Sequence, residues 1–137
     1  MRSVLFHCRR YATRITRLAN RPSDINPETV REHKQQIDNC IVAMISIEMR
    51  DKNEYVEKMA TEISHMAKET KNNRVVILPF AHLSNRLAEP KKGLDYLKKL
   101  EESLSKDHDV SRAHFGSHKE LMLDLYGHPG NARYREF

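Results

Sequence analysis

Two short segments of this sequence place polar, chemistry-capable side chains directly after apolar runs. The first is Pro79-Phe80-Ala81-His82-Leu83-Ser84-Asn85, which follows Val75 to Leu78. The second is Phe115-Gly116-Ser117-His118-Lys119-Glu120. The ends of buried strands are where open α/β sheets place their ligands, so both segments are candidate site loops. Read as turn chemistry, Gly116 only bends the chain and Lys119 is only solvated. Other chemistries fit less well. With four glycines in all, the chain has no G-x-G-x-x-G and no phosphate-binding P-loop. His114 and His118 have i, i+4 spacing, but Gly116 between them breaks any helix that would converge them on a metal, so no metal site is expected. Ser84 and His82 are two residues apart in a loop, poor geometry for a nucleophile and its base.

These segments must be positioned by the elements around them. The 137 residues amount to one domain, with a hydrophobic fraction of 39% and a charged fraction of 31%, values that exclude disorder. No apolar run approaches the ~20 residues that span a bilayer, so no membrane partner is expected. Cys8 and Cys40 are the only cysteines, which excludes a disulfide framework and fits a reducing, cytoplasmic compartment. Cys40 is most simply a core residue.

Residues 3–7 and 11–18 read as two strands, the second alternating and half exposed. Residues 20–36 are polar, contain Pro22 and Pro27, and read as an exposed loop with a short helix after Pro27. The β-branched run 40–47 reads as a central strand covered on both faces. Val56, Met59, Ala60, Ile63, Met66 and Ala67 lie on one stripe of a helix over 54–71, capped by Asn53 and ended in a left-handed turn at Asn72–Asn73. Residues 75–78 form a strand, and a second helix starts near Pro90 with Leu94, Leu97, Leu100 and Leu104 inward. Strands at 111–115 and 120–126 follow. The expected architecture is a single compact α/β domain, a mixed sheet in the order β-β-β-α-β-α-β-β with two main helices. The two apolar strands in so small a sheet suggest that a partner covers an edge or face, and a symmetric homodimer is the expected form.

The net charge of +5 is uneven. Residues 1–23 hold six arginines and no acid, while the remainder holds 18 basic and 19 acidic residues. A transit peptide has this composition, but Val4-Leu5-Phe6 reads as a buried first strand instead. Arg9, Arg10, Arg14 and Arg17 are left as candidate phosphate contacts to RNA, or as a solvated strand face.

The chain resembles the N-terminal editing domain of archaeal threonyl-tRNA synthetases, a family similar in fold to D-tyrosyl-tRNA deacylases. The resemblance runs through Met1-Arg2 with Val4-Leu5-Phe6-His7, and Ala43-Met44-Ile45-Ser46-Ile47-Glu48. It is strongest at Pro79-Phe80-Ala81-His82-Leu83-Ser84, and closes with Phe115-Gly116, Lys119 and Gly127-His128-Pro129. It implies proofreading of threonine tRNA mischarged with serine. A pocket built for threonine rejects the smaller amino acid weakly, because one methylene is worth only about 1–3 kcal/mol, so a second, hydrolytic site supplies the discrimination. Water attacks the ester at the tRNA 3′ end, and donors or positive charge stabilise the oxyanion.

By the same resemblance Lys119, His82 and His118 form the catalytic group: Lys119 as the active-site lysine, His82 lining the seryl pocket. Ile47, Pro79, Phe80 and Ala81 hold the aminoacyl moiety, largely through main-chain groups, and Phe115 and Gly116 lie beside the terminal adenosine. The tRNA's own 2′-hydroxyl takes a direct part, and no cofactor is implied. The implied partners are seryl-tRNA of the threonine family and the synthetase catalytic module, in cis or in trans. Two positions depart from the pattern: His118 replaces a tyrosine and Ala132 a glutamate. Two alternatives remain open, a D-aminoacyl-tRNA deacylase of broader specificity and a non-catalytic RNA-binding or dimerisation module.

Overall fold

The computed structural model describes residues 1–137. A six-stranded mixed sheet carries two helices, as the sequence leads one to expect. The elements are β1 (Arg2–Leu18), β2 (Lys34–Ser46), α1 (Asn53–Glu69), β3 (Arg74–Pro79), a single 3-10 turn (Ala81–Leu83), α2 (Pro90–Leu104), β4 (Asp109–Arg112), β5 (Ser117–Leu125) and β6 (Ala132–Glu136). The strands lie in the order β4-β3-β2-β1-β5. β2–β3 and β3–β4 are parallel. β1 is antiparallel to β2, to β5 along its far half, and to β6 along residues 2–6.

The two N-terminal strands expected at 3–7 and 11–18 are one strand of 17 residues. The alternation breaks because the pairing of β1 with β5 shifts register between Cys8 and Arg10, while Asn39 on β2 takes a left-handed φ of 49°. A bulge of this kind reverses which face successive residues occupy. Leu5 thus points into the core under the helices, and Tyr11, six residues on, points into the core on the opposite face. That second core holds Tyr11 with Cys40, Val42 and Met44 of β2 and Val76 and Leu78 of β3, and Leu123 and Leu125 of β5 pack against it.

Under the helices, Met59, Ile63 and Met66 of α1 and Leu97, Leu100 and Leu104 of α2 close on Ile41, Ala43, Ile45, Val75 and Ile77. Each fully buried aliphatic side chain there contributes roughly 1.5–3 kcal/mol. Leu94 is only half buried. β2 and β3 are covered inside the chain itself, since both are interior strands, so their apolar runs do not call for a partner.

Other differences are local. Asn53 does not cap α1. Lys52 holds the cap position without a side-chain bond, and the Asn53 side chain accepts from Lys99 Nζ at 2.8 Å. The left-handed residue ending α1 is Lys71, with φ 53°, one before Asn72. The Lys71 N–H donates to the Lys68 carbonyl and the Asn72 N–H to the Ala67 carbonyl, which completes a Schellman ending with lysine where glycine is usual. No helix follows Pro27. The last two expected strands shift to Asp109–Arg112 and Ser117–Leu125, and β6, absent from the sequence expectation, pairs with the start of β1.

Candidate functional site

The Pro79–Ser84 segment leaves the sheet at the C-terminal end of β3 and is tied to the end of β2 next to it. The Phe80 N–H donates to the Ile45 carbonyl at 2.8 Å, the Ser46 hydroxyl donates to the Phe80 carbonyl, and the Leu83 N–H donates to Ser46 Oγ at 3.3 Å. Ser84 donates to Glu48 Oε1 at 2.5 Å, so its hydroxyl is engaged by a carboxylate and not by His82. Burial alone would raise the Glu48 pKa, but the Ser84 hydroxyl, the Met1 α-amino group and Arg2 outweigh it and hold the carboxyl below its usual range. His82 is exposed, its ring edge-on to Phe80 at 5.2 Å. The carbonyl of the buried Ile47 accepts from the Ala88 N–H at 2.9 Å.

The second segment joins two edge strands. Gly116 has φ 91°, and a Cβ there would lie 2.7 Å from Pro27 Cα, so both its conformation and its surroundings demand glycine. Its carbonyl accepts from the Ala19 N–H. Phe115 packs against the core under the helices. Lys119 lies on β5 opposite Ile15, with its Nζ 3.2 Å from the Ser117 carbonyl. It lines a cavity of about 700 Å³ together with Thr13, Glu28, Leu94, Arg112 and His114. Burial pushes the Lys119 pKa down to about 8, and the negative charge of Glu28 opposes that shift. His118 is exposed on the other side of the strand, where its carbonyl accepts from Thr16.

Three residues with no role in this site on sequence grounds organise the region. Glu28 receives Arg112 Nη1 and Nη2, each at 2.8 Å, and the Phe115 N–H at 2.8 Å. Arg112 also donates to Glu101 at 2.7 Å. His114 bonds the Glu28 carbonyl through Nε2 and Ser117 Oγ through Nδ1, each at 2.8 Å. An Nε2–H donor to that carbonyl leaves Nδ1 as acceptor for the serine hydroxyl. None of the three belongs to a motif, and one acid in a polar loop gives no signal in a single sequence.

The expected site is therefore in two parts. Ile47, Pro79, Phe80, Ala81 and His82 cluster at the ends of β2 and β3. Phe115, Gly116 and Lys119 cluster at the β4–β5 connection, and His82 does not line the cavity that Lys119 lines. Ala132 opens β6 opposite Phe6, exposed. Of the four arginines, Arg9 pairs with Asp124 at 2.9 Å, Arg10 with Asp38 at 2.7 Å and Arg14 with Glu120 at 2.5 Å, while Arg17 has no ion pair.

The family described as the archaea-specific editing domain of threonyl-tRNA synthetase matches residues 1–137. The chain is 36% identical over 133 residues to a threonine–tRNA ligase of Staphylothermus marinus, covering 94% of this chain and 21% of the relative. It is 39% identical over 135 residues to that of Thermococcus gammatolerans, with the same coverage, and 37% identical over 90 residues to that of Methanosarcina acetivorans, covering 66% of this chain and 14% of the relative. The chain thus spans about a fifth or less of the length of these relatives. The solved structure of the c-Myc DNA Unwinding Element Binding Protein superposes with a TM-score of 0.75 at 13% identity, over 100% of this chain and 99% of that one, a likeness of fold.

Proposed function

Because the chain belongs to the archaea-specific editing-domain family of threonyl-tRNA synthetase, we propose that it hydrolyses L-seryl-tRNA of the threonine family, with residues 1–137 acting as one editing domain. The observation that carries this reading is Lys119: a half-buried ammonium lining a polar cavity, with burial lowering its pKa to about 8. A water oxygen attacks the ester carbonyl carbon. The bond to the ribose oxygen breaks, that oxygen takes up a proton, and serine leaves as the free acid. Protonated Lys119 stabilises the oxyanion formed on the way, and the tRNA 2′-hydroxyl helps to place the water. The scheme uses no cofactor. Main-chain groups of Ile47 and Ala81 hold the aminoacyl moiety, and His82 bounds the pocket that selects serine.

The proposed working form is a homodimer, acting in the cytoplasm with the synthetase catalytic module in cis or in trans. β5 is an edge strand, with Leu121 and Met122 exposed on its two faces. A second copy pairing along that edge would cover it and bring further groups to the divided site. Hydrolysis of seryl- and threonyl-tRNA by this chain is the test, run beside D-aminoacyl esters and a sedimentation measurement of mass. Faster release of serine than of threonine supports the reading. Equal rates end it, preferential D-aminoacyl cleavage replaces it with the broader deacylase, and binding without hydrolysis replaces it with an RNA-binding module.

A further inference from the structure

Glu28 sits in the loop between β1 and β2, outside every segment on which the family resemblance rests, and yet it makes the densest set of polar contacts near Lys119. Its carboxylate is one-fifth exposed and bridges two elements: the Arg112 guanidinium at the end of β4 and the Phe115 N–H three residues later. Its main chain adds two more ties, with its N–H donating to the Phe115 carbonyl at 3.2 Å and its carbonyl accepting from His114. Pro27, beside it, fills the space against Gly116. Arg112, His114 and Phe115 of this connection are thus all fastened to one residue.

We propose that Glu28 is a positioning residue for the deacylation site: it fixes the Phe115–Lys119 segment in place and supplies the negative charge that Lys119 faces across the cavity. The inference rests on the reading of Lys119 given above and deepens it. Charge-assisted bonds of this type are the strong ones, and a carboxylate bridging an arginine fork and a backbone N–H holds both direction and distance. The charged and titratable groups around it come from every neighbouring element: Arg112 from β4, Glu101 and Lys98 from α2, His114 from the connection, Lys119 from β5, and Arg31, Glu32 and His33 from its own loop. Glu101 also faces Arg112, so Arg112 keeps one carboxylate when Glu28 is changed. Burial would raise the Glu28 pKa, but Arg112, the Phe115 N–H and His114 outweigh it, so the carboxylate is charged wherever Lys119 titrates.

The test reads the free chain first. The Lys119 side-chain titration is followed by NMR together with amide exchange at Phe115, in wild type, Glu28→Gln and Glu28→Asp. Glutamine keeps the shape and removes the charge, so the Lys119 midpoint falls below its wild-type value. Aspartate keeps the charge but is too short to bridge both partners, so the midpoint moves less and Phe115 exchange quickens about tenfold or more. In deacylation, the alkaline limb of the Glu28→Gln pH profile moves down with the Lys119 midpoint. An unchanged Lys119 midpoint in Glu28→Gln, or unchanged Phe115 exchange in Glu28→Asp, overturns the proposal whatever the activity. A shifted midpoint in a chain that cleaves no ester leaves Glu28 in its role and removes the proposed function instead.

Discussion

The two halves of the site are built by opposite means. The Pro79–Ser84 segment is held by the strand end next to it, through Ser46 and Glu48, polar residues that continue a buried strand. The Phe115–Lys119 segment is held from 87 positions away, by a glutamate and a proline in a loop without regular structure. The first is neutral in outcome: the Glu48 and Asp51 carboxylates face the Met1 amine and the Arg2 guanidinium. The second is an electrostatic balance, in which burial lowers the pKa of a half-buried lysine and one nearby acid opposes that shift. A site held at its root tolerates change elsewhere in the chain, while a site held at a distance passes every disturbance of the distant loop to its functional group.

The largest expected effect falls on the second half. Lys119→Met lowers seryl-tRNA hydrolysis by about 10²–10³, the usual cost of removing a donor at an oxyanion. The same change raises stability at neutral pH. The folded-state pKa of about 8 lies below the ordinary lysine value, so the unfolded chain binds more protons between the two and stability rises with pH across that window. Removing the lysine relieves that penalty, worth about 1 kcal/mol after allowance for partial exposure, and the gain vanishes above about pH 10.5. Denaturant melts at pH 7 and 11 check it; a destabilised Lys119→Met protein would show that the lysine is held by attraction and not merely confined.

Next comes Gly116→Ala, expected to destabilise by about 1–3 kcal/mol, through left-handed backbone and the collision with Pro27. Its counterpart in the first half, Ser84→Ala, costs about 1 kcal/mol, because Glu48 keeps Arg2 and the Met1 amine as partners. Chemical denaturation of the two variants side by side measures the contrast, and equal losses would dissolve it. The smallest effect is His118→Tyr. With the side chain exposed and facing away from the cavity, the hydrolysis rate changes less than about tenfold. A near-inactive variant would move His118 into the chemistry.

This contrast also marks what could be read from the sequence. The helical stripe of α1 and the runs of β2 and β3 follow from periodicity, because burial on one stripe or on both faces leaves its period in the residue types. The Pro79–Ser84 loop was visible for the same reason, as polar residues right after a buried strand. The single strand Arg2–Leu18 was not, because its bulge reverses the alternation and imitates a break. β6 escaped because Arg133, Tyr134 and Arg135 give an edge strand no apolar alternation to show. Glu28 and Arg112 escaped because an ion pair 84 positions apart writes nothing local in the chain. The arginines of β1 were visible as charge, but their acidic partners on β2 and β5 were not, and those partners neutralise three of the four in place.

The length of β1 also governs the order in which the domain can assemble. Its first residues pair with its last, Arg2 with Glu136, and its far half waits for β5. During synthesis the β1–β2 hairpin can form early, but one entire side of β1 stays an open edge until the final quarter of the chain has emerged. Such long-range pairing folds slowly, since loop closure must be met before contacts repay it. For that interval the domain presents one open edge of a 17-residue strand, and Arg9, Arg14 and Arg17, still without β5, are charges of the kind that discourage a neighbouring chain from pairing there first.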